Sequence, residues 1–178
     1  MNSGTSEYGL GAKRLNQRKT GSHNTVEVDG KDSSQVWSSF RVANRALILS
    51  RSAELKPDHS IELYAAHNGY KSLFGGCIHS RKLTLTKDSF AVSDSLHGSF
   101  KCAKSRFYFH PNLIASLEGN LLRVEGPKFI LHGDLTGKVA SLVDSSWYPE
   151  FGVEIPSTVL EMQFEDNQLE IVFTWVSR

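Results

Sequence analysis

Hydrophobic and polar residues alternate with a period of two from about residue 24 to the end of the chain. Val26 and Val28 alternate with Thr25, Glu27 and Asp29. Further segments with this alternation are 36–42, 61–65, 83–85, 90–92, 107–109, 121–124, 129–132, 139–143, 159–164 and 169–176. Alternation of this kind, in residues that are often β-branched or aromatic, predicts strands with one face on a core. No run of ten or more residues shows the spacing of an amphipathic helix.

This pattern predicts an all-β protein, an antiparallel two-sheet β-sandwich of about a dozen strands. A closed barrel is the second choice, because periodicity alone does not separate the two. Turn residues at Asp29-Gly30 and at 165–168 predict hairpin connections. We divide the chain into a polar N-terminal loop segment, residues 1–23, and one β-sandwich domain, residues 24–178.

Composition narrows the class of protein further. The 178 residues carry 20 Lys plus Arg and 19 Asp plus Glu, a formal net charge of +1. A protein that neutralises nucleic-acid phosphates normally has a clear basic excess, so we expect no nucleic-acid partner. No apolar run is long enough to cross a membrane, and no signal peptide is visible, which leaves the localisation undetermined. Cys77 and Cys102 could pair or stay free.

The basic segment before the first strand contains the best candidate for binding chemistry. His23 lies at its junction with the strand, and Arg18 and Lys19 precede it. Guanidinium and ammonium groups suit an anionic ligand, such as the carboxylate or sulfate groups of a polysaccharide, although a solvated loop explains the same residues. Three tryptophans could stack on sugar rings or belong to the core: Trp37, Trp147 and Trp175.

An ordered set of short motifs resembles the C-terminal half of the heparinase II/III family of polysaccharide lyases. The set begins with Gly4-Thr-Ser-Glu-Tyr8 and Arg18-Lys-Thr-Gly-Ser-His-Asn-Thr-Val26. It continues with Asp29-Gly30, Gln35-Val-Trp37, Phe40-Arg-Val42, His67-Asn-Gly-Tyr70, His79-Ser-Arg81, Val92-Ser-Asp94, Phe109-His-Pro111 and Phe151-Gly152. The resemblance spans nearly the whole chain.

The resemblance implies a two-part enzyme, with an N-terminal α/α toroid before the β-sandwich and the active site between them. Such enzymes cleave uronic-acid-containing polysaccharides by β-elimination. The family's acid and base, a Tyr and a His, come from sequence upstream of this chain, so we expect no catalytic residue here. Arg18 and Asn24 are candidate substrate contacts or supports for such contacts.

The same resemblance implies a metal role for His23. It matches the His of the family's His-Asn-Thr-Val motif, which in some members looks like a zinc ligand in the full-length enzyme. The partner ligands would be an upstream His and an Asp, and Asn2 stands near the expected position of that Asp. Because a neutral amide is a poorer ligand than a carboxylate, we do not expect this chain alone to hold zinc tightly.

Two functions therefore remain open. The first is the sandwich portion of a polysaccharide lyase, which we expect to be catalytically inactive alone. Its partners would be an acidic polysaccharide and either the missing toroid or a second copy of this chain, bound through the surface that the toroid would cover. The alternative is a stand-alone carbohydrate-binding or interaction module without chemistry.

Overall fold

The computed structural model describes residues 2–38, 40–73 and 75–177. The helical elements of this part of the chain are α1 (Ala12–Arg18) and a 3₁₀ helix (Thr20–Ser22). The strands are β1 (Val26–Val28), β2 (Gln35–Ser38), β3 (Arg41–Ala43), β4 (Ile48–Leu55), β5 (Ile61–Tyr70), β6 (Cys77–Leu85), β7 (Ser89–Gly98), β8 (Ala103–Tyr108), β9 (Ile114–Glu118), β10 (Leu121–Glu125), β11 (Phe129–Asp134), β12 (Ala140–Trp147), β13 (Ile155–Gln163) and β14 (Gln168–Ser177). Met1 and Arg178, the ends of the two predicted segments, lie outside the described residues.

The strands form two main antiparallel sheets and one small hairpin. One sheet has four strands in the order β1-β8-β13-β12, and the other has eight in the order β4-β5-β6-β7-β14-β11-β10-β9. Strands β2 and β3 pair only with each other among the described residues. The predicted all-β, antiparallel sandwich is confirmed, and the large sheet is open between β4 and β9 rather than closed into a barrel.

The core lies between the two sheets and follows the alternation seen in the sequence. On β1, Val26 and Val28 point inward and are fully buried, whereas Glu27 between them is only half-buried. Leu160 and Met162 of β13 and Ile171 of β14 join the same cluster from the two sheets. Burial of such side chains contributes about 1.5–3 kcal/mol each, so this layer stabilises the packing of the two sheets.

Four local predictions are wrong. The segment 36–42 is not one strand, because it contains parts of β2 and β3, which pair antiparallel with each other. The turn at Asp29-Gly30 closes an isolated Val28–Lys31 bridge, and the strands on either side of it, β1 and β2, lie in different sheets.

The segment at 165–168 does not connect a hairpin, because it carries the chain from β13 in the four-stranded sheet to β14 in the eight-stranded sheet. The segment predicted as a polar loop contains α1, seven residues long and with Arg14 and Gln17 buried. A helix of two turns is too short to display a clear apolar period, and here its buried residues are polar.

The large sheet extends beyond the small one on the β4 side. Every residue of β4 is exposed, and β5 is exposed over much of its length. Leu55, Ile61 and Leu63 share the sheet face that further along carries the core, yet they are exposed by 71%, 41% and 42%. This part of the sheet is therefore an uncovered apolar surface.

The structure also describes the state of the two cysteines and the lengths of the helices. Cys77 is buried and Cys102 is exposed, and both are free thiols. No helix within the described part of the chain is long and apolar enough to cross a membrane.

Candidate ligand-binding cleft

The N-terminal residues are fixed against the loop that follows β12. The Tyr148 N–H donates to the Ser3 carbonyl at 2.6 Å, and the Thr5 N–H donates to the Tyr148 carbonyl at 3.1 Å. Gly4 lies between these bonds with φ +82°, and a Cβ there would be 2.0 Å from the Tyr148 oxygen. Only glycine permits this approach, and it brings residues 2–5 alongside α1.

Helix α1 is held to this segment through one buried amide. The Gln17 Nε2 donates to the Ser6 hydroxyl at 2.8 Å, while the Ser6 N–H donates to Gln17 Oε1 at 3.1 Å. Arg14 and Arg18 are four residues apart, so they lie on the same side of the helix. The helix ends at Arg18, since Lys19 is extended with φ −65° and ψ 153°.

A cleft of about 400 Å³ opens between the N-terminal residues, α1 and β2. Its lining residues are Asn2, Gly4, Thr5, Arg14, Gln17, Arg18, His23 and Val36. Arg18 and His23, both predicted site residues, are thus brought together. Two guanidinium groups and no carboxylate are among the lining residues, so the cleft favours an anionic ligand.

His23 presents a neutral imidazole to this cleft. Its backbone N–H donates to the Thr20 carbonyl at 3.1 Å and closes the 3₁₀ turn. Partial burial lowers the pKa of His23, although its hydrogen bond with the Arg18 backbone and the Asp32 charge act in the opposite direction. At neutral pH the ring is therefore uncharged and keeps one nitrogen that can accept a hydrogen bond.

Arg18 and Asn24 occupy different settings. The Arg18 Nη1 donates to the Ser38 carbonyl at 2.9 Å, which orients its guanidinium at the wall of the cleft. Asn24 is absent from the residues that line the cleft, and its Oδ1 accepts a hydrogen bond from the Tyr108 N–H at 2.8 Å. Asn24 fastens the start of β1 to β8, and the substrate contacts expected of both residues remain predictions.

The described residues do not by themselves form a zinc site. Nowhere among them do three His, Cys, Asp or Glu side chains come together as a metal would require. Around His23 the lining supplies the Asn2 amide and two arginines, whose positive charges oppose a bound cation. The donor set of this chain alone therefore does not fit the metal that the resemblance implies.

A buried polar network lies next to the cleft, behind β1. The carboxylate of Asp94, which is 1% exposed, accepts two hydrogen bonds from Arg81, both at 2.7 Å, and one from the Ser105 hydroxyl at 2.9 Å. It also contacts the His79 Nε2 at 2.8 Å. Burial alone would raise the pKa of Asp94, but the hydrogen bonds from His79 and Arg81 and the positive charge of Arg81 lower it to about 2.

The two histidines of this network have definite tautomers. Because Asp94 is ionised, the His79 Nε2 carries a proton and donates it, which leaves the His79 Nδ1 as acceptor for the His67 Nε2 at 3.1 Å. The His67 Nδ1 in turn accepts from the Gly69 N–H at 3.1 Å. Partial burial, with the charges of His79 and Arg81, lowers the pKa of His67 to about 4, so the His67 ring is neutral at pH 7.

This network supports the cleft rather than forming it. The Arg81 Nη1 donates to the Asn24 carbonyl at 2.6 Å, directly after His23 in the chain. Because Asp94 fixes the Arg81 guanidinium through two bonds, it also fixes the backbone from which His23 projects. His67 lies on β5 beside a register shift.

Sequence reasoning missed Arg14 and a group of exposed aromatic residues beside it. Tyr8 stacks on Phe40 and on Phe151, with ring centroids 6.0 Å apart in each pair. These three residues are far apart in sequence, and Arg14 was included in a predicted loop. No signal in the sequence pointed to Arg14, because its burial without a counterion depends on tertiary contacts.

Comparison with known proteins identifies the class of this sandwich. Residues 1–176 match the family model described as heparinase II/III-like, C-terminal. The chain therefore belongs to the heparinase II/III-like C-terminal family, as the ordered motifs indicated. No curated protein gives a match.

Solved structures of two lyases share the fold. The heparinase III BT4657 gene product is 15% identical with a TM-score of 0.71, and the alignment covers 99% of this chain. A mutant of the heparan sulfate lyase HepC from Pedobacter heparinus is 16% identical with a TM-score of 0.68, again over 99% of this chain. In each case this chain spans 28% of the length of the other protein.

Proposed function

We propose that this chain acts as the C-terminal β-sandwich portion of a heparinase II/III-like polysaccharide lyase. In that role it forms one wall of a cleft for an acidic, uronic-acid-containing polysaccharide and does not catalyse β-elimination alone. The observation that carries this proposal is the match of residues 1–176 to the family's C-terminal model. The electropositive cleft at Arg18 and His23 is consistent with it.

The chemistry of β-elimination explains why such a wall is useful. Removal of the proton next to a uronate carboxylate becomes easier when the negative charge of that carboxylate is neutralised. Arg18 supplies a guanidinium for this purpose, and Asn24 holds the backbone beside it. The groups that remove and donate protons would come from the helical portion of the lyase.

We propose that zinc binds only to the assembled enzyme, as a cofactor. His23 would give one ligand, and the remaining ligands would have to come from the helical portion. Since the cleft of this chain carries two arginines and a single imidazole, we expect it to bind zinc more weakly than about 1 μM by itself.

The proposal also includes a protein partner. The uncovered apolar face at β4 and β5, which includes Leu55 at 71% exposure, suits either the α/α toroid of the lyase or a second copy of this chain. Burial of this face would remove several large apolar side chains from water, which favours association.

One observation favours the alternative of a stand-alone carbohydrate-binding module. Trp37 on β2 is 53% exposed, and the Arg41 guanidinium lies 5.0 Å from the centre of its ring. An exposed indole next to a cation can stack on a sugar ring without any catalytic group. In this module Trp37, rather than Arg18, would dominate binding.

Titration calorimetry with heparan sulfate fragments and with neutral dextran fragments tests the proposal. We expect binding of heparan sulfate only, weakened about tenfold by Arg18→Gln through the loss of charge-assisted hydrogen bonds. The control Arg51→Gln, which removes an exposed charge from β4, should change the affinity less than about twofold.

Two outcomes would contradict the lyase assignment. Equal affinity for dextran would show that anionic groups are not recognised. A large loss with Trp37→Ala together with no loss for Arg18→Gln would favour the stand-alone module. Thermal unfolding of each variant separates a binding defect from a folding defect.

A further inference from the structure

Arg14 is a buried cation that lacks a counterion. Its side chain is only 9% exposed, and no carboxylate in the described part of the chain forms an ion pair with it. Its Nη1 donates to the Thr5 hydroxyl, and its buried Nε has no partner among the described residues. A buried charge is normally paired, so this guanidinium is prepared for an anion that comes from outside.

The carboxylate nearest in sequence is already engaged elsewhere. The Glu7 Oε1 accepts a hydrogen bond from the backbone N–H of Arg14 at 3.1 Å and serves the helix rather than the guanidinium. The guanidinium is held instead by aromatic rings, with its carbon 5.6 Å from the ring centre of Tyr8 and 5.8 Å from that of Phe40. These contacts orient the group without neutralising its charge.

The surroundings of Arg14 point to an anionic sugar. Arg14 lines the same cleft as Arg18 and His23, with no acidic residue in the lining. Tyr8 and Phe40 lie beside its guanidinium, and Phe151 stacks on Tyr8; the three rings are exposed by 58%, 68% and 69%. Exposed aromatic rings offer an apolar platform for the face of a pyranose, while a guanidinium binds its oxyanion substituents.

We infer that Arg14 and the aromatic group of Tyr8, Phe40 and Phe151 form a subsite for one acidic sugar residue. Arg14 binds the oxyanion, a carboxylate or a sulfate, and the rings stack on the sugar. This inference rests on the proposed function, and it adds the residues that recognise one sugar unit of the polysaccharide.

The test combines NMR of the arginine Nε–H signals with affinity measurements on the full chain. The probes are a heparan sulfate hexasaccharide, sodium glucuronate and sodium sulfate. We expect the Arg14 Nε–H signal to shift with the hexasaccharide and with at least one of the two small anions. A larger shift with glucuronate assigns the subsite to a carboxylate, and a larger shift with sulfate assigns it to a sulfate group.

Variants give a second, independent readout. Arg14→Gln should weaken hexasaccharide binding by about tenfold or more, whereas the control Arg51→Gln should change it less than about twofold. Arg14→Lys keeps the charge and loses the planar fork, so we expect an intermediate affinity. If Arg14→Gln fails to fold, Arg14→Lys and the wild-type NMR titration still decide the question.

The outcomes separate the inference from the function on which it rests. If the wild-type chain binds the hexasaccharide while the Arg14 signal stays unchanged and Arg14→Lys binds normally, the subsite is overturned and the proposed function stands. If the chain does not bind the hexasaccharide but the Arg14 signal shifts with glucuronate or sulfate, the oxyanion site stands and the glycan function is contradicted. No response to any probe would overturn both.

Discussion

Asp94 shows how a single residue can support a cleft that it does not touch. Its carboxylate forms hydrogen bonds with Arg81, His79 and Ser105 behind β1. Arg81 in turn donates a hydrogen bond to the Asn24 carbonyl, so Asp94 also fixes the backbone beside the cleft. The motif Val92-Ser-Asp94 was visible in the sequence, but its partners come from β6 and β8. Only the strand order, with β6 and β7 adjacent and Ser105 on the facing sheet, brings them together.

We expect Asp94→Asn to destabilise the fold by about 3–5 kcal/mol, because it leaves Arg81 and His79 without their shared anion. Urea unfolding monitored by tryptophan fluorescence measures this loss. The matched control is Asp144→Asn at an exposed position of β12, which should change the free energy of unfolding by less than about 0.5 kcal/mol. A loss below about 1 kcal/mol for Asp94→Asn would mean that the network is not a stabilising element.

At the scale of elements, the cleft depends on how residues 2–6 and α1 are attached to the sandwich. Backbone bonds from residues 3–6 to Tyr148 and Gly152 and the Lys13–Glu154 ion pair attach this unit to the sandwich, and the Gln17 amide joins α1 to Ser6. Such an attachment is sensitive to any change that separates the two backbones. Gly4 is the point of closest approach.

Gly4→Ala should therefore cost about 2 kcal/mol or more, because the new Cβ meets the Tyr148 carbonyl and the positive φ disfavours an L-residue. The control is Gly30→Ala, which has a similar φ of +64° but open space around the Cβ, so only about 1 kcal/mol of backbone strain is expected. Thermal unfolding gives the stability. Chemical shifts of α1 residues should move in Gly4→Ala alone, and equal effects of the two substitutions would contradict the proposed close contact.

Much of this architecture could be predicted from the sequence, for a physical reason. Strands such as β1, β13 and β14 have one face in the core, and burial of that face imposes the alternation that reveals them. Strand β4 is exposed on both faces, so no alternation marked it. The crossing from β13 to β14 between sheets also leaves no local signal, since turn residues look alike in hairpins and crossings.

The candidate site was only partly visible for a related reason. Arg18 and His23 stood out by residue type next to a strand, and the structure places both on the cleft. Arg14 was hidden because its importance comes from burial without a counterion, which depends on tertiary contacts. The aromatic group is assembled from residues 8, 40 and 151, and no local pattern connects positions so distant in sequence.

At the scale of the whole molecule, the sandwich carries two surfaces that the proposed function assigns to partners. One is the electropositive cleft at α1, and the other is the apolar face at β4 and β5. The lyases with the same fold are more than three times as long as this chain, which covers 28% of each. Under the proposed function, this chain supplies recognition and another portion of the lyase supplies the proton transfers.

The most direct test of this account is a β-elimination assay on the purified chain. Heparan sulfate, alginate and hyaluronan are incubated with it, and the ultraviolet absorbance of the unsaturated uronate product is followed while binding is measured on the same sample. The account predicts binding of an acidic polysaccharide without any product above the rate of a no-protein blank. Sustained product formation, reproducible across independent preparations and proportional to protein concentration, would contradict it.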